Sequence, residues 1–128
     1  AYSDFTEKMG EIDAFLKEDH ITSVHLLVPQ IESAFREAVV SGGGNVLREN
    51  KYDGYNYHTL DYLINHEQTL KMHNGDSEII FYFRSILSEA RGLNIRNNIC
   101  HGILKCEDIN FTYSLLVIHV VLLLAQIK

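Results

Sequence analysis

An arginine, an asparagine and a histidine lie within six consecutive positions of this chain, where residues 96–102 read Arg-Asn-Asn-Ile-Cys-His-Gly. Arg96 is a permanent cation, His101 exchanges protons near neutral pH, and Asn97 forms hydrogen bonds without carrying charge. Together these groups can bind a phosphodiester and move a proton to or from it. Because consecutive polar and small residues are not typical of a core helix, we take this segment as the candidate site.

A very short helix is predicted to hold the segment. Asn94 is a suitable N-cap, and Gly102 suits the position just after a helix end, so the helix is expected to cover residues 95–101. Ile95 and Ile99 lie four positions apart, on one side of such a helix, and are expected to face the core.

The three polar residues then take defined places on that helix. Asn97 and His101 are four positions apart and share a face. Arg96 lies about 140° around the axis from His101, an angle that a long arginine side chain can span to reach the edge of the same cleft. The spacing therefore permits a site that uses all three side chains.

Helical periodicity predicts an all-α bundle of about five helices around the segment. A first helix is expected from Asp4 to about Asp19. The second carries an apolar stripe over residues 24–39, and Pro29 within it marks either a start or a kink. Residues 41–44, Ser-Gly-Gly-Gly, end this helix. Because these glycines follow a helix rather than a strand, they do not suit a phosphate-binding loop, and no cofactor is predicted.

The later helices are delimited by capping residues and glycines. Thr59 is expected to cap the third helix and Asn74-Gly75 to stop it. Asp76 or Ser77 opens the fourth, whose apolar stripe extends from Ile79 to Ala90 with Gly92 at its end. Asp108 is expected to cap the last helix.

Residues 45–58 interrupt the helical pattern. Asp53-Gly54 is a tight-turn signal, which predicts a loop or small hairpin between helices. Two short extended pieces are expected around it, carried by Val46, Leu47, Tyr55 and Tyr57. Tyr52, Tyr55 and Tyr57 can stack on nucleobases, although tyrosines around a turn more often pack within a fold or an interface.

The last helix is the most apolar part of the chain. Leu115–Ala125 is apolar except for His119, and its eleven residues fall far short of the roughly 20 that a membrane span requires. We therefore expect the central core helix of the bundle and no membrane association. His119 is interpreted as a hydrogen-bonded core histidine.

Composition favours one ordered domain over residues 1–128. The net charge is −6, which argues against a general nucleic-acid coat, since such binding rests on many Lys and Arg contacts with phosphates. A small basic site remains possible if Arg84, Arg91 and Lys105 gather near Arg96. The two cysteines read as reduced thiols, and the first ten residues do not form a signal peptide, so a cytoplasmic protein is predicted. The missing initiator Met favours a domain of a longer protein.

The histidines do not form a pattern typical of a metal site. Zinc ligands occur in close pairs, such as two histidines three to five positions apart. His20 and His25 satisfy that spacing, but no cysteine or acidic pair completes the set. His58, His66 and His73 are separated by eight and seven positions. We therefore expect no metal ion.

The segment also resembles a known superfamily. Arg-x4-His followed by Gly, placed before a long apolar helix, is similar to the Arg-x(4–6)-His motif of the HEPN superfamily. The string LNIRNNICHG resembles an uncharacterised branch of it, found as an all-α domain in larger bacterial proteins. Two further stretches are similar to that branch, so the resemblance covers roughly residues 20–127. They are His25–Glu32 followed by Arg36, and Asp53-Gly54 ahead of Thr59-Leu60.

The resemblance implies a metal-independent endoribonuclease with a composite site at a homodimer interface. His101 would take a proton from an RNA 2′-hydroxyl or give one to the leaving 5′-oxygen. Arg96 would stabilise charge on the phosphorane, and Asn97 would orient the phosphate or His101. The products would be a 2′,3′-cyclic phosphate and a 5′-hydroxyl. Such proteins often act as toxins or in defence against phage, although the resemblance does not identify an antitoxin.

Two other readings stay open. Many HEPN domains have lost catalysis and serve as modules for dimerisation or for binding RNA or a nucleotide within a larger protein. The acidic charge and the missing initiator Met favour this alternative. In the other reading, Asn97, His101 and Gly102 only tie a helix end to its neighbours, while Arg96 pairs with a carboxylate.

Overall fold

The structure, a computed structural model that describes residues 19–126, confirms the all-α class with one small hairpin. In chain order the elements are α1 (His20–Ser41), β1 (Leu47–Glu49), β2 (Tyr55–Tyr57), α2 (Leu60–Asn65), α3 (Glu67–Met72), α4 (Ser77–Leu87), α5 (Ile95–Cys100) and α6 (Phe111–Ala125). A 3₁₀ turn at Cys106–Asp108 precedes α6. The predicted first helix, from Asp4, lies outside the described residues.

The described residues divide into two compact units, each with its own apolar side chains in its interior. One unit comprises residues 19–31 and 95–126, and the other comprises residues 32–94. The buried apolar side chains of the first are Val24, Leu27, Val28, Ile31, Ile95, Ile109, Val117 and Val120. Those of the second are Phe35, Val39, Val46, Leu60, Leu63, Ile64, Phe83, Ile86 and Leu87. In the second unit, the rings of Phe35 and Phe83 meet edge to face with centroids 5.4 Å apart, an arrangement that aromatic pairs favour.

Helix α1 continues through Pro29 instead of beginning there. Its start is fixed by Asp19, whose carboxylate accepts the Thr22 amide at 3.2 Å and the Thr22 hydroxyl at 2.7 Å. These two hydrogen bonds lower the pKa of Asp19 from its ordinary value, and the bond from the hydroxyl has the larger effect. The helix ends at the predicted glycines, where Gly43 has a left-handed backbone with φ +85°.

The prediction of a single third helix is wrong, because the chain breaks at His66 into α2 and α3. His66 has an extended backbone with ψ 143°, and its Nδ1 accepts the amide of Gln68 at 3.1 Å, which caps α3. The Thr69 hydroxyl donates to the carbonyl of Leu63 at 2.7 Å. These side chains take over hydrogen-bonding positions that a continuous helix would use. The predicted cap at the other end is confirmed, since Thr59 accepts the amide of Tyr62 at 3.3 Å.

Helix α6 departs from its prediction in its cap and in its burial. Asn110, and not Asp108, caps it by accepting the amide of Tyr113 at 3.2 Å, because Asp108 belongs to the preceding 3₁₀ turn. His119 is exposed instead of lying in the core. The helix is buried along one side only, and three large apolar side chains on it are about half exposed: Phe111, Leu115 and Leu122. Over residues 19–126, no helix has the length and apolar character to cross a membrane.

Candidate functional site

The candidate site lies on α5 and the two residues that follow it, and we call residues 95–102 the motif segment. Ile95 is fully buried, as predicted, whereas Ile99 is only partly so. Asn94 has a left-handed backbone with φ +49°, which differs from the extended backbone of an ordinary N-cap residue. The start of α5 is therefore not built in the expected way. Its attachment through Ile95 is confirmed.

The end of α5 is the Schellman motif that Gly102 predicted. Gly102 has φ +66°, and its amide donates to the carbonyl of Ile99 at 3.1 Å. The amide of Ile103 donates to the carbonyl of Asn98 at 2.8 Å. Both bonds satisfy carbonyls that a helix end leaves open, and the left-handed turn follows directly after His101. The position of His101 at the last turn is therefore set by backbone hydrogen bonds.

The structure places the three predicted site residues on α5 and the residue after it, where a side-chain hydrogen bond joins the first two and a helical backbone bond joins the third. Nη1 of Arg96 donates to Oδ1 of Asn97 at 3.3 Å. The backbone amide of His101 donates to the carbonyl of Asn97 at 3.0 Å. Arg96 and Asn97 are half-buried, and His101 is exposed. Asn97 thus contacts the other two residues, and the imidazole of His101 is accessible to a ligand from solvent.

Three other cations that were candidates for the same basic site have carboxylate partners. Nη2 of Arg84 lies 3.1 Å from Glu89, and its Nε lies 3.4 Å from Asp61. Nε of Arg91 lies 3.5 Å from Glu89, and Lys105 lies 4.0 Å from a neighbouring glutamate. Each of these three cations therefore has a carboxylate partner within its own part of the chain.

The approach to α5 is a tight bend over residues 88–94. Helix α4 ends at Leu87 and does not continue to Gly92 as predicted. A side chain at Gly92 would collide with the carbonyl oxygen of Ser85. The carboxylate of Glu89 accepts the backbone amide of Arg91 at 3.3 Å. This bond, together with the Arg91 and Arg84 side chains, lowers the pKa of Glu89 from its ordinary value.

The cysteines and the remaining histidines do not combine into a ligand set. Within residues 19–126, no three side chains of the types that bind metals lie close enough to hold an ion. Cys100 and Cys106 are exposed free thiols. His58 instead stacks on Tyr62, with ring centroids 3.6 Å apart, and the exposed His25 bonds through Nδ1 to the carbonyl of Ile21 at 2.7 Å.

A second group of exposed side chains lies on residues 45–58, which we call the tyrosine hairpin. Its strands pair antiparallel, with Leu47 opposite Tyr57 and Glu49 opposite Tyr55, as the Asp53-Gly54 signal predicted. The sequence favoured tyrosines that pack within the fold or in an interface over tyrosines that stack on bases. The tyrosines face outward, and the guanidinium carbon of Arg36 lies 4.6 Å from the centre of the Tyr57 ring. Sequence reasoning missed this arginine, because only the fold brings α1 beside β2.

Comparison with known protein families, with curated proteins and with solved structures finds no match to this chain.

Proposed function

We propose that this chain is a metal-independent endoribonuclease of the HEPN type, acting as a cytoplasmic homodimer whose two motif segments form one composite cleft. The observation that carries the proposal is the side-chain hydrogen bond between Arg96 and Asn97 on the short helix that ends directly before the exposed His101. This arrangement places a cation within five positions of a residue able to exchange protons. The cation and the proton-exchanging group are the two functions that RNA transesterification needs.

The chemistry follows from those groups. His101 of one protomer takes the proton of the 2′-hydroxyl, and the 2′-oxygen attacks phosphorus. The bond from phosphorus to the 5′-oxygen breaks, and the leaving oxygen takes a proton from the histidine of the second copy. Arg96 stabilises the extra negative charge on the phosphorane, with Asn97 holding its guanidinium in place. The products are a 2′,3′-cyclic phosphate and a 5′-hydroxyl.

Two further observations support the dimeric and cytoplasmic parts of the proposal. Phe111, Leu115 and Leu122 share one side of α6 and are about half exposed. Apolar side chains in such a row are typical of a surface that meets another protein. The free thiols of Cys100 and Cys106 fit a reducing compartment.

The test is cleavage of single-stranded and structured RNA in the presence of EDTA. We expect His101→Ala to lower the rate by about 10²- to 10⁴-fold, and Arg96→Ala by about 10²- to 10³-fold. His25→Ala and Arg91→Ala are matched controls that remove an exposed histidine and an exposed arginine outside the motif segment, and they should retain activity. RNA left intact by the parent protein, or equal cutting by His101→Ala, would refute the proposal.

Dilution tests the composite site separately. If two motif segments form one cleft, the activity per protomer should fall as the protein is diluted below its dimer dissociation constant. Sedimentation of the same samples reports the oligomeric state. Constant specific activity in a sample that sediments as a monomer would contradict the composite site.

The exposed row on α6 also favours a second candidate function, a non-catalytic module that dimerises or binds RNA or a nucleotide within a larger protein. This function predicts a dimer in sedimentation that leaves RNA intact. The EDTA assay and the sedimentation experiment therefore separate the two candidates without a further variant.

A further inference from the structure

The tyrosine hairpin exposes three aromatic rings to solvent. Tyr52, Tyr55 and Tyr57 are 78%, 64% and 62% exposed, although burial of an aromatic ring is among the most favourable changes that folding offers. They lie within six consecutive positions. These rings therefore do not pack in the interior of the fold, and their faces are available to a ligand.

Two of the rings are placed in a row. Tyr55 and Tyr57 are separated by one residue of β2, so their side chains leave the same face of the hairpin. The rise of a strand places their Cα atoms about 6.7 Å apart. This separation matches the distance between neighbouring nucleotides in an extended single strand, so successive bases can each meet one ring.

Two cations lie over the exposed rings of the hairpin. The guanidinium of Arg36 lies 4.6 Å from the Tyr57 ring centre, and Nζ of Lys51 lies 5.0 Å from that of Tyr52. Glu32 holds Arg36 from one side at 3.7 Å. Nε of Arg36 is buried and makes no hydrogen bond to the described residues. Arg36 is thus positioned against the ring, and 27% of its side chain is exposed.

The turn between the strands is held rigid by one side chain. Oδ1 of Asn50 accepts the amides of Tyr52 at 2.9 Å and Gly54 at 3.1 Å. The side-chain Nδ2 of Asn50 donates to Oδ1 of Asn56 at 3.3 Å. The backbone amide of Asn50 donates to the carbonyl of Gly54 at 2.9 Å. Because the turn is already ordered, a ligand that stacks on the rings does not have to order the backbone.

An open cavity lies at the Tyr57 end of the row. Its volume is about 370 Å³, within the range of small-molecule sites. Arg36 and Tyr57 form part of its wall, and the other lining residues come from α1 and from the hairpin: Glu37, Val40, Ser41 and Val46. A planar base that passes beyond Tyr57 therefore has space and an apolar surface to occupy.

We propose that the tyrosine hairpin binds single-stranded RNA, with two successive bases stacked on Tyr55 and Tyr57 and with phosphates beside Arg36 and Lys51. Stacking platforms of this kind combine exposed aromatic faces with cations along the strand. A protein-binding hot spot has a desolvated apolar centre, whereas the face that carries these rings also carries the exposed carboxylate of Glu49 opposite Tyr55, beside Leu47 opposite Tyr57. The inference rests on the proposed function for its choice of RNA.

The charge of the hairpin sets how such binding depends on salt. The two positive charges of Arg48 and Lys51 are balanced by the two negative charges of Glu49 and Asp53. Stacking therefore contributes more to the binding of RNA than charge does. With phosphate contacts to Arg36 and Lys51 alone, the slope of log K against log salt should be about −1.4. Glu49 shares the face of the tyrosines. Glu49→Gln should therefore raise the affinity a few-fold.

Binding is measured by fluorescence anisotropy of a labelled 12-nucleotide RNA of mixed sequence, with His101→Ala protein so that the RNA stays intact. We expect Tyr55→Ala and Tyr57→Ala each to weaken binding about tenfold, since each variant removes the ring on which one base stacks. Tyr55→Phe and Tyr57→Phe keep the aromatic face and should bind as the parent does. Phe81→Ala removes an equally exposed ring, 69% exposed on α4, and is the matched control.

A spectroscopic signature tests stacking directly. The chain has no tryptophan, so Tyr55→Trp introduces a single reporter. Its emission should be quenched as the RNA binds, with the same midpoint as the anisotropy. Tryptophan introduced at Phe81 should not respond.

Several results would overturn the inference. They are the absence of RNA binding, equal binding by the alanine and phenylalanine variants, and a salt slope far steeper than −1.4, which would indicate binding by charge alone. A hairpin that serves a protein contact would show itself when Tyr57→Ala dissociates a dimer without changing RNA affinity. Because cleavage is measured separately, failure of hairpin binding and failure of the nuclease proposal are distinguishable.

Discussion

The motif segment and the tyrosine hairpin are attached to the protein in different ways. The motif segment is anchored by Ile95, which is fully buried, and closed by the left-handed backbone of Gly102. The hairpin buries Val46 at its base, while all residues of both its strands are exposed. Its order comes from the side chain of Asn50.

This contrast matches what each segment is proposed to do. Proton transfer requires donor and acceptor within hydrogen-bond reach, so a small displacement of His101 costs much of the rate. Stacking tolerates sliding of a base across a ring, because every base presents a flat face. Anchoring in the core suits the first task, and a hydrogen-bonded projection into solvent suits the second.

The largest expected effect comes from breaking the anchor. Ile95→Ala removes a fully buried side chain and should lower the free energy of unfolding by about 3 kcal/mol. Leu47→Ala in the hairpin, where 39% of the side chain is exposed, should cost less than about 1 kcal/mol. Urea denaturation followed by circular dichroism measures both. Equal losses would mean that the two segments are anchored alike.

A smaller effect is expected at the left-handed residue of each segment. Gly102 has φ +66° with open space around an added Cβ, so Gly102→Ala adds backbone strain without a clash and should cost about 1 kcal/mol. Asp53 has φ +59° in the hairpin, and Asp53→Gly should change stability by less than about 0.5 kcal/mol. Thermal denaturation compares them. A neutral Gly102→Ala would show that the helix end does not depend on the Schellman turn.

The smallest expected effect is a difference in the response to acid. The bend before the motif segment is held by a carboxylate, which acid protonates, whereas the hairpin turn is held by a side-chain amide, which does not titrate. The pKa of Glu89 is lowered in the fold, so its bonds stabilise the bend above the ordinary value of 4.5 and are lost as pH falls through the lower folded value. The amide resonance of Arg91 should therefore shift in this acidic range. The amide of Gly54, held by Asn50, should not shift.

The control for that titration is Glu89→Gln, which cannot ionise and should abolish the shift of the Arg91 resonance. An unchanged titration in this variant would assign the shift to another acid. Movement of the Gly54 resonance together with that of Arg91 would mean that acid loosens both regions, and the contrast between them would be lost.

The sequence predicted the features that depend on a local backbone requirement. Gly102 and the Asp53-Gly54 turn were correct because a positive φ restricts the residue type at those positions. Thr59 was correct because its hydroxyl caps the helix that follows. The residues of the motif segment were found by type and spacing, although their chemical role stays a prediction.

The features that the sequence missed depend on competition between neighbouring side chains. The apolar pattern continues across His66, so periodicity predicts one helix, but the imidazole and the Thr69 hydroxyl form hydrogen bonds that split it. Asp108 and Asn110 are both good caps, and the 3₁₀ turn that includes Asp108 leaves the capping position to Asn110. Arg36 beside Tyr57 is a tertiary contact, which no local pattern encodes.

Helix α6 has a consequence for the unfolded chain. From Leu115 to Ala125 it carries no charge at neutral pH apart from any on His119, no proline and no glycine, and many of its residues are β-branched or leucine. As a helix, these residues bond their own backbone, but as an extended strand the same run has the composition of a cross-β segment. The persistence of α6 as a helix therefore keeps this run from pairing with other chains and protects the protein from self-assembly.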